Sequence, residues 1–221
     1  MALTKVTGGL LGNLPTGTGN VAVGDTALDS IASDAQYNVA IGSAAGTAVS
    51  TGIRNTLVGA FAGDGLTDAD FNVAVGFGAL DVDTKGSKST AVGYGTLEVQ
   101  SFTTATDTFN TAVGFEAGHV ITTGVQNTLI GSIAGDALTD ADFNVAVGYQ
   151  SLSTDTLGNR SVAVGHQALR DQNFTSATDS YNTAVGFFAG LSVTTGVQNT
   201  LIGGLAGDAL TDGAMNVAVG Y

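Results

Sequence analysis

The chain has 221 residues and no cysteine, and its 19 acidic and 6 basic residues give a net charge of −13. The lack of cysteine excludes disulfides and thiolate metal sites, and the acidity argues against a nucleic-acid partner, which requires clustered Lys and Arg. No apolar run reaches the ~20 residues of a membrane-spanning helix, so membrane insertion is not expected.

Residues 1–19, MALTKVTGGLLGNLPTGTG, precede the first repeat. They contain one Lys and no apolar core of the kind found in a secretory signal. We therefore divide the chain into this N-terminal segment and a repeat region that covers residues 20–221.

The repeat region is built on a pentamer that opens with Asn or Ser and closes with Gly. Counted at this closing residue, which we call the anchor glycine, twelve repeats follow one another in steps of 17 or 18 residues, with two steps of 21. Four steps add up to 72 residues, so the region contains nearly three copies of a four-repeat block. The anchors are Gly24, Gly42, Gly59, Gly76, Gly93, Gly114, Gly131, Gly148, Gly165, Gly186, Gly203 and Gly220.

Each pentamer predicts a short β-strand. Its second and fourth residues, such as Val21 and Val23, are Val, Ile or Thr and share one face of the strand. Its third residue is Ala or Leu and points to the other face. Because neither face is polar, both must be covered. Frequent glycines and short segments between turn signals argue against helices.

The constant step predicts an all-β fold, a parallel β-solenoid with one coil per repeat. Twelve coils that each rise ~4.8 Å make a rod of about 57 Å, and each coil is stabilised mainly by its neighbours.

One face of the strands can line the coil interior, and we expect the third-position residues to remain exposed on a single chain. We predict that they pack against identical stripes of other copies in a homotrimeric rod, although the stripe alone is also compatible with two chains. The stripe comprises Ala22, Ala40, Leu57, Ala74, Ala91, Ala112, Leu129, Ala146, Ala163, Ala184, Leu201 and Ala218.

The residues that open and close the pentamer have structural interpretations. Asn at a coil corner can bond local backbone, and stacked Asn side chains form hydrogen-bonded ladders. Ser89 and Ser161 replace Asn in one repeat type, which indicates that a short hydrogen-bonding residue suffices. The anchor glycine predicts a sharp corner or close backbone packing.

The segments between pentamers vary more than the pentamers do. The fourth residue after each anchor is Gly or Leu, in the order Gly, Gly, Leu, Leu within a block. The two 21-residue steps carry their additional residues in EVQSFTTATDTF and RDQNFTSATDSY, where we predict loops.

Two of these segments, AGDGLTDADFN and AGDALTDADFN, contain three Asp each. Clustered carboxylates could bind Ca²⁺, which takes several oxygen ligands. The third copy has Ala214 in place of the last Asp, so we favour turn-forming Asp on solvated loops and predict no metal and no cofactor. The calcium candidates are Asp64, Asp68, Asp70, Asp136, Asp140 and Asp142.

An aromatic-rich row follows the anchor glycines. If it faces outward it could stack on sugars or contact a host surface, and if it faces inward it belongs to the core; we favour core or inter-chain packing. No arrangement of Ser, His and Asp suggests a catalytic triad, and we predict that the chain is not an enzyme. The row consists of Phe77, Tyr94, Phe115, Tyr149, His166 and Phe187.

At NVAVGDTAL, NTAVGFEAG and NVAVGYQSL the repeat resembles two related groups. One is the head repeat of trimeric autotransporter adhesins, a left-handed parallel β-roll. The other is the repeat region of phage tail-fibre proteins, which the 17-residue step and the TTG turn resemble more closely. The opening MALTKVTGGLL also resembles the start of tail-fibre and tailspike chains.

The resemblance implies an extracellular virion structural protein, a trimeric tail-fibre segment that supports host attachment. Its N-terminal segment would dock on other tail proteins, and a host receptor or glycan is a further candidate partner. An adhesin head is the first alternative, but it needs a secretion signal and an anchor that the sequence does not show. A polysaccharide-degrading tailspike is the second, although no coil stands out as a site for paired acids.

Overall fold

A computed structural model describes residues 17–221. It confirms the predicted all-β fold, a parallel β-solenoid of twelve coils in which every pentamer contributes one strand. Of the predicted attachment segment, residues 1–19, all but the last three residues lie outside the described part. Thr18 forms a parallel bridge with Gln36, so stacking already begins just before the first pentamer.

Twelve three-residue strands form one parallel sheet, and four two-residue strands form two small parallel pairs, β5 with β7 and β11 with β13. The large sheet contains β1 Val21–Val23, β2 Val39–Ile41, β3 Thr56–Val58, β4 Val73–Val75, β6 Thr90–Val92, β8 Thr111–Val113, β9 Thr128–Ile130, β10 Val145–Val147, β12 Val162–Val164, β14 Thr183–Val185, β15 Thr200–Ile202 and β16 Val217–Val219. The short strands are β5 Gly86–Ser87, β7 Thr106–Asp107, β11 Gly158–Asn159 and β13 Thr178–Asp179.

The register is constant along the sheet. Each pentamer position pairs with the same position in the next coil, as Ala40 does with Leu57 and Leu57 with Ala74. Equivalent residues of successive coils therefore stack in columns parallel to the rod axis.

The orientation that we expected for the strands is wrong. The third-position stripe faces the interior of the solenoid: Ala40, Leu57 and Ala74 have no exposed surface in a single chain. Eleven of the twelve stripe residues are buried in this way, and Ala218 in the last coil packs against the same core. These side chains are covered by their own coil, so they are not available to pack against another copy.

The physical reason is the narrow interior of a 17-residue coil. Opposite walls lie so close that a strand residue must match the residue across from it. Leu57 takes its space from two glycines: its Cδ1 lies 2.6 Å from a Cβ built on Gly46, and its Cδ2 lies 2.7 Å from one built on Gly63. In the coils where the strand residue is Ala74 or Ala91, the corresponding glycine is replaced by the buried Leu80 or Leu97. The choice of Gly or Leu at the fourth residue after the anchor thus offsets the size of the strand residues, so that the core is filled.

The predicted Asn ladder is confirmed. The backbone N–H and the side-chain amide of Asn55 donate to Oδ1 of Asn38 at 2.9 and 3.1 Å, and the amide also donates to the carbonyl of Ala69 at 2.8 Å. Oδ1 of Asn55 in turn accepts from the N–H of Asn72 at 2.9 Å. A positive φ occurs at the residue before the Asn, such as Arg54 at 57°, rather than at the Asn itself.

The anchor glycines stack directly on one another. Gly59 has φ +139°, a conformation that L-residues with side chains rarely adopt, and a Cβ there would collide with the carbonyl group of Gly76. Both predicted roles, the sharp corner and the close packing, are confirmed.

Candidate functional site: the outward face of the large sheet

The second and fourth positions of the pentamers form the outward face of the twelve-stranded sheet. They are partly or fully exposed in a single chain, as Ile41 is at 41% and Ile130 at 39%. All 24 residues in these two columns are Val, Ile or Thr. The face is therefore β-branched and without charge along the whole stack.

The aromatic row that follows the anchor glycines borders this face on one side. It is exposed, which contradicts a place in the core of a single chain: Phe77, Tyr94 and Phe115 are 49–51% exposed. The three rings stack in successive coils, with centroids 5.6 and 5.2 Å apart and planes within 10° of parallel. A second stack contains Tyr149, His166 and Phe187, with neighbouring centroids 5.2 Å apart.

This stacking limits what the row can bind. A sugar ring stacks on the face of an aromatic ring, but the faces of Tyr94 are covered by Phe77 and Phe115. Phe61 covers Phe77 from the other side in an edge-on contact at 5.6 Å. The row presents ring edges to solvent, which suits apolar packing better than sugar stacking.

A second exposed row, which our reading of the sequence missed, borders the sheet on its other side. It consists of the residues that precede the opening Asn or Ser, and aromatic rings alternate in it with Arg, Lys or Gln. Its signal was present in the sequence as a bulky residue before every pentamer except the first, which follows Gly19. The row contains Tyr37, Arg54, Phe71, Lys88, Phe109, Gln126, Phe143, Arg160, Tyr181, Gln198 and Met215.

The cations of this second row lie over its rings. The guanidinium of Arg54 is 5.9 Å from the ring centre of Tyr37 and 5.3 Å from that of Phe71. Arg160 lies in the same way between Phe143 and Tyr181. Cation–π contacts therefore hold both guanidinium groups in place.

Arg54 differs from the other cations of the row. Lys88 and Arg160 form ion pairs with Asp107 and Asp179. The side chain of Arg54 forms no hydrogen bond or ion pair with any residue of the described range 17–221. It is an exposed positive charge on an acidic chain, held by two rings, and its N–H groups can pair with a carboxylate.

Most of the acidic residues lie in the turns, whereas Asp107 and Asp179 lie against the second row. The fifth residues after successive anchors place Asp64, Asp81 and Glu98 in one column. Burial, and secondarily the charges of Asp64 and Glu98, raise the pKa of Asp81. Further along the same column, burial is the main cause that raises the pKa of Asp136 to about 6, and the charge of Glu116 adds to it.

The calcium candidates do not converge on a common site. Oδ1 of Asp70 accepts the N–H of Ile53 at 2.8 Å, and Oδ1 of Asp142 accepts the N–H of Val125 at 2.7 Å, so both fix a turn of the preceding coil. Asp68 faces Lys85 at 3.6 Å, Asp140 accepts from a Thr hydroxyl, and Asp64 and Asp136 belong to the acidic column. Within residues 17–221, no group of three His, Asp or Glu residues is placed to hold a metal ion.

No protein-family model, curated protein sequence or solved structure matches this chain. No helix in the described part of the chain is long and apolar enough to cross a bilayer. Because it is exposed, apolar and continuous over twelve coils, the outward face of the large sheet with its two bordering rows is the most prominent candidate site.

Proposed function

We propose that this chain is a structural segment of a bacteriophage tail fibre. In this proposal three copies form an extracellular rod with left-handed coils that supports attachment of the virion to its host. Residues 1–19 join the rod to other tail proteins, and the fibre binds a host receptor or glycan. The carrying observation is the uninterrupted stack: twelve coils share one parallel sheet with one register, as a spacer of fixed length requires.

Immunogold electron microscopy tests this proposal. Antibodies raised against the whole chain are applied to purified particles and to bacterial cells from the same culture. We expect gold along the tail fibres of the particles. Gold on the bacterial envelope, with none on particles, would contradict the proposal and support the adhesin-head alternative.

A second test concerns the tailspike alternative. The purified protein is incubated with surface polysaccharide of the host, and the soluble products are separated by size. We expect the polysaccharide to keep its length, because the proposal gives the chain a supporting and not a hydrolytic role. Release of short oligosaccharides would identify a polysaccharide-degrading spike instead.

A further inference from the structure

The exposed apolar side chains of the solenoid are concentrated on one side. We define the apolar strip as the seven residues of each coil from the one before the opening Asn or Ser to the one after the anchor glycine, for example residues 37–43. In the ten inner coils, sixteen large apolar side chains are exposed, and only Phe61 and Val82 lie outside the strip. The fourteen within it are Tyr37, Ile41, Phe71, Phe77, Tyr94, Phe109, Phe115, Ile130, Phe143, Tyr149, Tyr181, Val185, Phe187 and Ile202.

Charge is distributed in the opposite way. Of the 19 acidic residues, only Asp25 in the first coil falls within the strip, whereas Arg54, Lys88 and Arg160 all do. A net charge of −13 per chain opposes association of identical chains through most of their surface. On the strip, copies can approach with few carboxylates between them, and the nearby Asp107 and Asp179 are paired with Lys88 and Arg160.

The dimensions of the strip suit a stable protein interface. Twelve strands spaced ~4.8 Å apart give a length of about 53 Å, and the three extended residues of each strand at ~3.3 Å each give a width of about 10 Å. The sheet face alone covers about 500 Å², and the two bordering rows bring the strip to the order of the roughly 800 Å² per partner of a standard interface. A contiguous apolar patch of this size on a soluble protein marks an interaction surface.

The regular spacing of the strip identifies its occupant. Its columns repeat at the coil spacing, and the ring centroids of Phe77, Tyr94 and Phe115 follow at 5.6 and 5.2 Å. A partner that fits all twelve coils must present side chains at the same spacing over the same length. Another copy of this chain has that spacing by construction.

We propose that the apolar strip is the surface through which copies of this chain assemble side by side into a rod. This inference rests on the multi-chain fibre of the proposed function and names the surface that joins its chains. It replaces the Ala/Leu stripe, which is buried inside each coil, by the Val, Ile and Thr columns and the two bordering rows.

Charge substitutions in the strip test the proposal. The triple variant Val113→Glu, Ile130→Glu, Val147→Glu changes the fourth pentamer position in three adjacent coils. The matched control, Thr103→Glu, Ala105→Glu, Ala177→Glu, adds the same charge at exposed turn residues outside the strip. The full chain of each is compared with the wild type by sedimentation equilibrium at micromolar concentration, and circular dichroism reports the β-structure.

We expect the wild type and the control to have the mass of three chains and the strip variant to associate at least tenfold more weakly. A monomeric wild type, or a strip variant that assembles like the control, would overturn the strip proposal. A wild-type dimer that the strip variant dissociates would support the strip while contradicting the three-chain rod of the proposed function.

Single cysteines keep the test valid if the strip variant fails to fold. The chain has no cysteine of its own, so Val147→Cys in the strip and Ala177→Cys in a turn each introduce one reactive thiol. We expect a short bis-maleimide to link chains through Val147→Cys and not through Ala177→Cys. Equal cross-linking of the two variants, or linkage at the turn alone, would overturn the strip proposal.

Discussion

The ordinary coils and the two 21-residue coils satisfy the same buried column in different ways. In an ordinary coil, Oδ1 of each ladder Asn accepts from the next Asn, as Asn38 does from Asn55. Ser89 ends this series because its hydroxyl meets the hydroxyl of Thr108 in the next coil and does not reach Asn110. The 21-residue coil then supplies Gln100, whose Oε1 accepts the amide of Asn110 at 2.9 Å.

The long coil therefore contributes to a buried polar network as well as to a loop. The amide of Gln100 also donates to Oγ of Ser89 at 3.0 Å and to Oδ2 of Asp83 at 2.6 Å. Oδ1 of Asp83 accepts the N–H groups of Gly86 and Phe102 at 3.1 and 3.0 Å. The same network recurs 72 residues later around Asp155 and Gln172.

The comparison shows that a repeat can change its polar partners without losing register. Asp83 and Gln100 stand seven residues after their anchors, where other coils carry buried aliphatic residues such as Val49 or Leu66. A buried polar group is tolerated when every partner is present. Substitutions at four positions measure how strictly each kind of coil depends on its partners.

The largest effect is expected from Gln100→Ala. The substitution removes the amide that pairs with the buried Asp83 carboxylate, and the amide of Asn110 loses one of its two acceptors and keeps the carbonyl of Gly124. A buried hydrogen-bonding group left without a partner costs about 1–3 kcal/mol, and more where it is charged, so we expect a total loss of about 3–5 kcal/mol. Urea unfolding followed by circular dichroism measures the free energy of unfolding, with Gln150→Ala, a partly exposed Gln, as control. A loss below about 1 kcal/mol would show that the network is not structurally required.

Asn55→Ala is expected to cost slightly less, about 3 kcal/mol. It leaves the N–H of Asn72 and the carbonyl of Ala69 unpaired, and each buried orphan group costs about 1–3 kcal/mol. Asn55→Ser sharpens the comparison, because it copies Ser89 into a coil that has no Gln to compensate. We expect it to be nearly as destabilising as Ala in urea unfolding; a neutral Ser variant would mean that Gln100 is dispensable.

Ser89→Asn is expected to destabilise by about 1–2 kcal/mol. The larger side chain enters a space that Gln100 and Thr108 already fill, and overpacking has a cost of this size. Thermal unfolding of Ser89→Asn, of Gln100→Ala and of the double variant gives their coupling free energy. We expect the double variant to be more stable than the sum of the single changes predicts, because Asn can then use the vacated space.

The smallest effect concerns Asp136, a carboxylate of an ordinary coil. Unlike Asp83, it lacks a full set of partners: its buried Oδ1 accepts no hydrogen bond from the described residues. Its pKa in the folded chain, about 6, lies above the ordinary value of 3.8, so the folded state binds the proton more tightly. Protonation of Asp136 therefore stabilises the folded state. This contribution is fully present below about pH 3.8 and is lost as the pH rises through about 6.

Asp136→Asn should therefore raise the free energy of unfolding at pH 7 by about 1 kcal/mol. This is less than the full pKa shift would give at ~1.4 kcal/mol per pKa unit, because the group is only half-buried and solvent screens part of the effect. The variant should also flatten the pH dependence between pH 4 and 7. Urea unfolding at several pH values measures both effects, with Asp212→Asn as an exposed control. Equal pH profiles for wild type and variant would contradict the assignment.

Much of the fold followed from the sequence alone. The 17-residue step predicted the parallel solenoid and its twelve coils, and the opening Asn predicted the hydrogen-bonded ladder. The outward face was partly predicted: we expected a second apolar face that needs cover, but we assigned it to Ala22 and its equivalents. The row of Tyr37 and Arg54 and the network of Asp83 and Gln100 were missed, because both become visible only when coils are aligned as neighbours in space.

The sequence by itself determined the period, and through it the number of coils, their parallel register and the alternation of two apolar faces along each strand. The tertiary structure decided which face lies inside. Alternation separates the faces but does not orient them when both are apolar. The close approach of opposite walls makes the choice, because only Ala, or Leu opposite glycine, fits between them. Val, Ile and Thr therefore face outward and form the surface that remains to be covered.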